Sequence, residues 1–237
     1  MAQQTPMPMF LLLFDIDGTL LIGRAGLHKG VMNRAGRDVF HPDFDVDAID
    51  RLGSLDACVI PQILEKLDVT ASEAACEEFR QRYFAGLWKA AQEATVLPGV
   101  PELLRTLGER QDQYIPGLVT GNYREAARIK LEATGIGFNQ FKLGAYGDLD
   151  TTRGELVRIA VIEAQEVYKQ EFPWSHVVVI GDTLRDIECA HENGCRVIAV
   201  PTGWTTREEL AAAEPDYLLD DLRDIDRFLA CVHDLPT

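Results

Sequence analysis

Two carboxylates that follow an apolar run are the residues of this sequence best suited to chemistry. Asp15 and Asp17 come directly after residues 9–14 and precede Gly18 and Thr19. An uninterrupted apolar run of this length predicts a strand buried on both faces, as in a parallel sheet. Carboxylates at the end of such a strand are costly to bury unless they are paired or bind a metal. Because ligands bind at the carboxyl edge of open α/β sheets, both aspartates are candidates for a functional site.

Two later apolar runs, residues 115–119 and 177–180, end in small and polar residues of a similar kind. The residues concerned are Thr120, Gly121 and Asn122 after the first run, and Asp182 and Asp186 after the second. Parallel strands bring their carboxyl ends to one edge, so we expect these residues to meet Asp15 and Asp17 in one crevice. Clustered carboxylates repel one another, and oxygen ligands suit Mg²⁺. We therefore predict Mg²⁺ as the cofactor.

The order of the predicted elements indicates the fold that positions this crevice. Predicted helices cover Glu102–Gln111, Tyr123–Thr134, Glu155–Glu171, Leu184–Asn193 and residues 221–232. Predicted strands cover Tyr114–Val119, Phe141–Ala145, Val177–Ile180, Arg196–Val200 and Tyr217–Leu219. The alternation of strands and helices predicts a doubly wound parallel sheet with helices on both faces, an α/β fold. We assign this core to residues 9–22 and 96–237.

Residues 23–95 differ from the core because they carry helical spacing and no convincing strand. The predicted helices are Leu27–Phe40, Ala57–Leu67 and Ser72–Ala94. We expect Asp56 to cap the second of these helices and Thr70 or Ser72 to cap the third. The acidic residues 41–50 lack the glycine and the glutamate of an EF-hand loop and are predicted to form a solvated loop. The segment is therefore an all-helical insert.

Bulk properties narrow the class of function. A net charge of -15 argues against binding to nucleic acid or to an anionic membrane, and an anionic substrate would need a cation to enter. Five cysteines without a CxxC pair favour free thiols in a reducing compartment. We find no signal peptide and no apolar stretch near ~20 residues, so we expect a cytoplasmic protein. Residues 1–8 are expected to be a poorly ordered tail. The sequence does not indicate an oligomeric state.

Three motifs resemble those of the haloacid dehalogenase-like superfamily. They are DxDGTL at residues 15–20, TGN at residues 120–122 and GDTxxD at residues 181–186. The sequences GSLD at 53–56 and LPGV at 97–100 resemble the turn of a C1-type helical cap and the return to the core. The most similar branch is that of the phosphoglycolate phosphatases. The resemblance implies a Rossmann-like core and a Mg²⁺-dependent phosphatase that acts on a small phosphorylated metabolite, with hinges at residues 20–26 and 94–98.

The resemblance also implies a role for each residue of the crevice. Asp15 corresponds to the nucleophile that forms an aspartyl-phosphate, and Asp17 to the general acid and base. Thr120 corresponds to the hydroxyl that hydrogen-bonds a phosphate oxygen, with the amides of Gly121 and Asn122 nearby. The metal ligands correspond to Asp15, the main-chain carbonyl of Asp17, Asp182 and, adjacent or at one remove, Asp186.

One departure from the family pattern concerns a positively charged side chain of the site. The family has a lysine after the third strand, whereas Lys142 falls on the wrong side of that strand here. Arg153 lies at the start of the following helix, and we assign to it the role that the lysine has in the family. Its guanidinium is expected to restrain Asp15 and to bind the phosphoryl group.

Other functions remain open at this stage. A phosphomutase would use the same core and retain the phosphoryl group by limiting the entry of water. A 2-haloacid dehalogenase needs Asp15 but would leave Asp17 and the GDTxxD motif unexplained, and a phosphonatase would lack the Asp17 acid and use a lysine of the cap. A non-catalytic phosphate-binding module would not need Asp15 and Asp182, which are both present. Candidate substrate contacts in the cap are Arg24, His28, Lys29, Arg51, Arg80, Arg82, Trp88 and Lys89.

Overall fold

A parallel sheet lies at the centre of the protein. The computed structural model describes residues 9–23, 27–49, 54–149 and 151–234. Within these ranges the strands are β1 (Phe10–Phe14), β2 (Leu21–Ile22), β3 (Thr95–Val96), β4 (Tyr114–Val119), β5 (Gly144–Ala145), β6 (Val177–Gly181), β7 (Arg196–Ala199) and β8 (Tyr217–Leu218). Six of them form a sheet in the order β5-β4-β1-β6-β7-β8, with every pairing parallel. The predicted α/β fold is confirmed.

Helices cover both faces of this sheet. The helices are α1 (Leu27–Val39), α2 (Asp56–Lys66), α3 (Glu73–Ala91), α4 (Val100–Glu109), α5 (Arg124–Ala133), α6 (Arg153–Tyr168), α7 (Leu184–Asn193), α8 (Arg207–Ala212) and α9 (Ile225–Val232). Side chains of a strand alternate between its two faces. Accordingly Leu12 and Phe14 pack in a cluster with α4 and α9, whereas Leu11 and Leu13 pack with α6 and α7. Strand β1 therefore lies in the middle of the sheet with all of its residues buried.

Helices α1, α2 and α3 enclose an apolar cluster of their own. Phe79 and Tyr83 of α3 stack within it, and Tyr123, Ala126 and Ile129 from the start and body of α5 complete it. Strands β2 and β3 form an antiparallel pair at the two ends of the helical segment. We keep the name cap for residues 23–95, whose status as a separate domain remains a proposal. Helix α5 thus lies between the cap and the sheet.

Several local predictions are wrong. Asp56 is not a cap but the first residue of α2, and Leu55 precedes it. Residues 41–50 are not simply a solvated loop, because Phe44 and Val46 are fully buried in the cap and a short 3₁₀ helix forms at Val46–Ala48. Ser72 caps α3 as expected, by accepting a hydrogen bond from the Ala75 amide. The predicted strand at 141–145 shortens to two residues, and α8 was not predicted.

None of the five cysteines, all of which lie within the described residues, forms a disulfide bond. No helix in the described part of the chain is long and apolar enough to cross a membrane. The predicted tail at residues 1–8 lies outside the described residues.

Candidate active site

The carboxyl edge of the sheet brings together the residues predicted from the three motifs. Asp15 follows β1, Thr120 follows β4 and Asp182 follows β6, while Arg153 and Asp186 lie in the first turns of α6 and α7. All five side chains are buried. Because β1 pairs with both β4 and β6, the three strand ends are direct neighbours. The predicted crevice is therefore present in the structure.

Arg153 joins two of the carboxylates. Its Nη2 lies 3.2 Å from Asp15 Oδ1 and 2.5 Å from Asp186 Oδ1. The other oxygen of Asp186, Oδ2, accepts hydrogen bonds from the amide and the hydroxyl of Thr183 at 3.0 and 2.6 Å. Asp186 is thus held at both oxygens and in turn holds the arginine. The guanidinium lies where the sequence predicted the cation, although its catalytic role stays a prediction.

The two carboxylate oxygens of Asp182 differ in their hydrogen bonds to the described residues. Oδ1 accepts a hydrogen bond from the Thr19 hydroxyl at 3.2 Å. Oδ2 is buried and accepts none from the described residues. Gly18, which has a φ of 90°, approaches this carboxylate so closely that a Cβ at that position would overlap it. The glycine of the first motif is therefore required for space as well as for backbone conformation.

Negative charge exceeds positive charge around Asp15. Burial, together with the nearby carboxylates of Asp186 and Asp17, raises the pKa of Asp15 to about 6 despite the opposing effect of Arg153. Burial and the charges of Asp15 and Asp186 raise the pKa of Asp182 to about 9. One arginine thus does not compensate three buried acids. A divalent cation would supply the missing charge.

The geometry of these acids fits such a cation. Asp15, Asp182 and Asp186 each offer a carboxylate oxygen, and these oxygens lie within 4.8 Å of one another. Oδ2 of Asp182, which accepts no hydrogen bond from the described residues, is one such oxygen. Hard oxygen donors of this number and charge suit Mg²⁺, which retains several of its waters. Asp15 and Asp182 are the better candidate ligands, because Arg153 and Thr183 already engage Asp186.

Asp17 faces a different set of partners. Its Oδ2 accepts a hydrogen bond from Asn122 Nδ2 at 2.8 Å and pairs with Lys130 Nζ at 2.6 Å. Although burial acts in the opposite direction, the charge of Lys130 and these hydrogen bonds lower the pKa of Asp17. The predicted use of its main-chain carbonyl as a metal ligand stays a prediction.

Thr120 is connected to this second group through Asn122. The Thr120 hydroxyl oxygen accepts from Asn122 Nδ2 at 2.8 Å, which leaves its own hydrogen available to a phosphate oxygen. Tyr123 directly precedes α5, and its side chain makes no capping hydrogen bond. Gly121 contacts the cap, since its carbonyl accepts a hydrogen bond from the Asp56 amide at 2.8 Å.

Sequence reasoning missed Lys130. Its side chain is buried on α5, a helix that was correctly predicted. The signal was available, because Tyr123, Ala126, Ala127 and Lys130 fall on one stripe at helical spacing and the other three are apolar. A lysine on a buried stripe needs a partner, and Asp17 provides it.

Of the eight cap residues proposed as substrate contacts, His28 contacts this group. His28 Nδ1 lies 3.5 Å from Lys130 Nζ. Lys29, Arg80 and Arg82 form ion pairs with Asp47, Glu77 and Glu78 respectively. Trp88 is largely exposed. Arg24 and Arg51 lie outside the described residues.

Several known proteins are similar to this chain. The HAD-hydrolase-like family model matches residues 153–225. A 5'-nucleotidase from Pseudomonas aeruginosa is 29% identical over 224 residues, which cover 89% of this chain and 91% of that protein. A phosphoglycolate phosphatase from Synechococcus elongatus is 26% identical over 222 residues, covering 90% and 94%.

A solved structure shows the same fold. CbbY from Rhodobacter sphaeroides, in complex with phosphate, superimposes with a TM-score of 0.69 at 20% identity, covering 92% of this chain and 96% of its own. The alignments therefore span the helical segment and the sheet together. In its fold, in the three motifs at one sheet edge and in these similarities, the chain resembles hydrolases of the haloacid dehalogenase-like superfamily.

Proposed function

We propose that this hydrolase is a Mg²⁺-dependent phosphatase that cleaves a small phosphate monoester through an aspartyl-phosphate on Asp15. The observation that carries the proposal is the buried group of Asp15, Asp182 and Asp186, which Arg153 joins. A fourth carboxylate, Asp17, lies beside this group and pairs with Lys130. The names of the related 5'-nucleotidase and phosphoglycolate phosphatase support a phosphate monoester as the substrate class.

The reaction follows from the positions of these side chains. Arg153 and the Thr120 hydroxyl donate hydrogen bonds to the phosphoryl oxygens, and an Asp15 oxygen attacks phosphorus. Asp17 gives a proton to the departing alcohol. Asp17 then removes a proton from water, which attacks the phosphorus and releases phosphate from Asp15.

Asp15 and Asp182 would hold Mg²⁺, whose positive charge would offset the negative charge of the phosphoryl group and keep Asp15 ionised. The protonated form of Asp17 is compatible with its surroundings. A proton on Oδ1 leaves Oδ2 as an acceptor for Lys130 and Asn122. The negative charge of a bound phosphate favours that proton, because like charges raise the pKa of a carboxyl group.

The first test is hydrolysis of p-nitrophenyl phosphate by the full chain with Mg²⁺, with EDTA, and with the variant Asp15→Asn. We expect Mg²⁺-dependent turnover that Asp15→Asn reduces by at least about 10⁴-fold, because it removes the nucleophile. Asp43→Asn is the matched control, since Asp43 is an exposed aspartate of the cap.

The outcomes separate the remaining alternatives. Turnover that persists in Asp15→Asn would contradict the proposal. Halide release from a 2-haloacid without metal would establish the dehalogenase instead, and isomerisation of a sugar phosphate without release of phosphate would establish the mutase. If the phosphatase is confirmed, phosphoglycolate and nucleoside 5'-monophosphates are the substrates to compare next.

A further inference from the structure

Lys130 is a cation within the cap–sheet boundary to which the reaction described above assigns no role. Its side chain is 4% exposed, and its ammonium group has three hydrogens to donate. Asp17 Oδ2 and Asn122 Oδ1 each lie 2.6 Å from Nζ, and His28 Nδ1 lies at 3.5 Å. Each hydrogen thus has a partner, and two of these partners belong to the predicted site.

The contacts to Asp17 are asymmetric. Lys130 and Asn122 both reach Oδ2, whereas Oδ1 receives no hydrogen bond from the described residues. Two donors on one oxygen fix the rotation of a carboxyl group and leave its other oxygen for a reacting proton. This is the arrangement that a general acid and base requires.

Lys130 also fixes the orientation of Asn122. The ammonium group can only donate, so it must face Oδ1 of the amide and direct Nδ2 away. Nδ2 then donates to both Asp17 Oδ2 and the Thr120 hydroxyl oxygen at 2.8 Å. One cation therefore orients the side chains on either side of Asn122.

The cap completes the arrangement. With Nδ1 accepting from Lys130, the Nε2 hydrogen of His28 faces the hydroxyl of Tyr83, whose ring is buried in the cluster of the cap. His28 belongs to α1 and Tyr83 to α3, whereas Lys130 belongs to α5. The line from Tyr83 through His28 and Lys130 to Asp17 joins the cap to the site.

We infer that Lys130 is a positioning residue, which holds Asp17 through Oδ2 so that Oδ1 faces the leaving group and the attacking water. The inference rests on the proposed phosphatase function. It concerns a residue that acts through Asp17 and Asn122 rather than on the substrate.

The kinetic test compares two esters of similar size, p-nitrophenyl phosphate and p-nitrobenzyl phosphate. The nitrophenol departs without help, whereas the benzyl alcohol needs a proton. We expect Lys130→Met to lower kcat/KM for the benzyl ester by about 10²-fold and that for the phenyl ester by less than about 5-fold, because kcat/KM ends with departure of the alcohol. Lys130→Arg should recover part of the loss.

Arg128→Met is the control, because Arg128 is an exposed cation on the same helix that pairs with Glu125. It should leave both esters unchanged. Equal losses for the two esters in Lys130→Met, or no loss for either, would overturn the inference while leaving the phosphatase intact.

A second measurement does not depend on activity. We expect Lys130→Met and Asp17→Asn to change the Tm non-additively, so that the double variant melts near the less stable single one. Arg128→Met should add independently to Asp17→Asn. If the wild type hydrolyses no phosphate ester, the proposed function fails, and additive shifts in this cycle would separately refute the contact between Lys130 and Asp17.

Discussion

Asp15 and Asp17 are two residues apart on one turn, yet their surroundings are opposite. Asp15 lies among Asp182 and Asp186 with one guanidinium, and its pKa is raised to about 6. Asp17 lies against Lys130 and Asn122, and its pKa is lowered. The positive charge near Asp15 does not balance the surrounding carboxylates, whereas the charge of Asp17 is balanced by Lys130.

This difference separates two carboxyl groups of the same chemical type. Environments that push the pKa values of neighbouring acids apart are typical of sites in which the acids do different work. The deficit at Asp15 suits a site that gains its cation and its anion from solution. The complete set of partners at Asp17 suits a group whose orientation is set by the protein. Three experiments test this contrast.

The largest effect is expected from Arg153, the only cation among the described residues within ion-pair distance of Asp15. Arg153→Met should lower kcat/KM by about 10²- to 10³-fold, because it removes a charged donor to the phosphoryl group and leaves Asp15 and Asp186 unpaired. Steady-state kinetics on p-nitrophenyl phosphate measures the loss.

The control for Arg153 is Arg158→Met, which removes a largely exposed arginine from the same helix. Arg153→Lys should recover only part of the activity, since a lysine keeps the charge but lacks the planar guanidinium and its fixed set of donors. Full activity in Arg153→Met would contradict the proposal that Asp15 depends on Arg153 for positive charge.

A smaller effect is expected at Asp182. Asp182→Asn should raise the Mg²⁺ concentration needed for half-maximal activity by about 10- to 100-fold, because it removes the charge of a carboxylate whose Oδ2 accepts no hydrogen bond from the described residues. Titration of activity with Mg²⁺ measures the shift, with Asp43→Asn as the exposed control. An unchanged requirement for Mg²⁺ would place the metal elsewhere.

The smallest effect concerns stability and pH without metal. Asp15 and Asp182 have a raised pKa in the folded protein, about 6 and about 9 against 3.8. Between these pKa values the folded state keeps protons on Asp15 and Asp182 that the unfolded chain has lost. The contribution of these protonated groups to the free energy of unfolding is fully present below pH 4 and is lost as the pH rises towards 9. Asp17 has a lowered pKa, so its contribution is lost only at acidic pH.

In EDTA, the Tm of the wild type should fall between pH 5.5 and pH 8.5 by a few degrees more than that of Asp182→Asn, and Mg²⁺ should remove the difference. Thermal unfolding at several pH values measures it. If the Tm of the two proteins changed equally with pH in EDTA, the neighbouring carboxylates would not raise the pKa of Asp182.

Most of the sheet could be predicted because its strands are apolar runs that end sharply at polar residues. The same signal located Asp15, Thr120 and Asp182, since the carboxyl ends of parallel strands share an edge. Local sequence was sufficient in these cases because each residue is positioned by the strand beside it. Arg153 was assigned through the family resemblance, since it opens the helix that follows the third strand of the family pattern.

Two of the failures have their cause in tertiary contacts. Asp56 looks like a helix cap in sequence, but its Oδ2 accepts a hydrogen bond from the Tyr123 amide, 67 residues away. The helical spacing of α5 was seen, but the face that holds Lys130 is buried only because α1 and α3 pack against it. Helix α8 has six residues, too few for a clear periodic signal.

The way in which the cap meets the sheet has a consequence for how such proteins diverge. At the start of α2, the amides of Asp56 and Ala57 donate to the carbonyls of Gly121 and Gly147 at 2.8 and 2.9 Å. A Cβ on Gly121 would overlap the Ser54 carbonyl, so the contact is made by main-chain atoms at close range. Side chains elsewhere on the cap are not part of it. Under the proposed function, we therefore expect inherited changes in other side chains of the cap to alter which ester is accepted while this main-chain attachment stays the same.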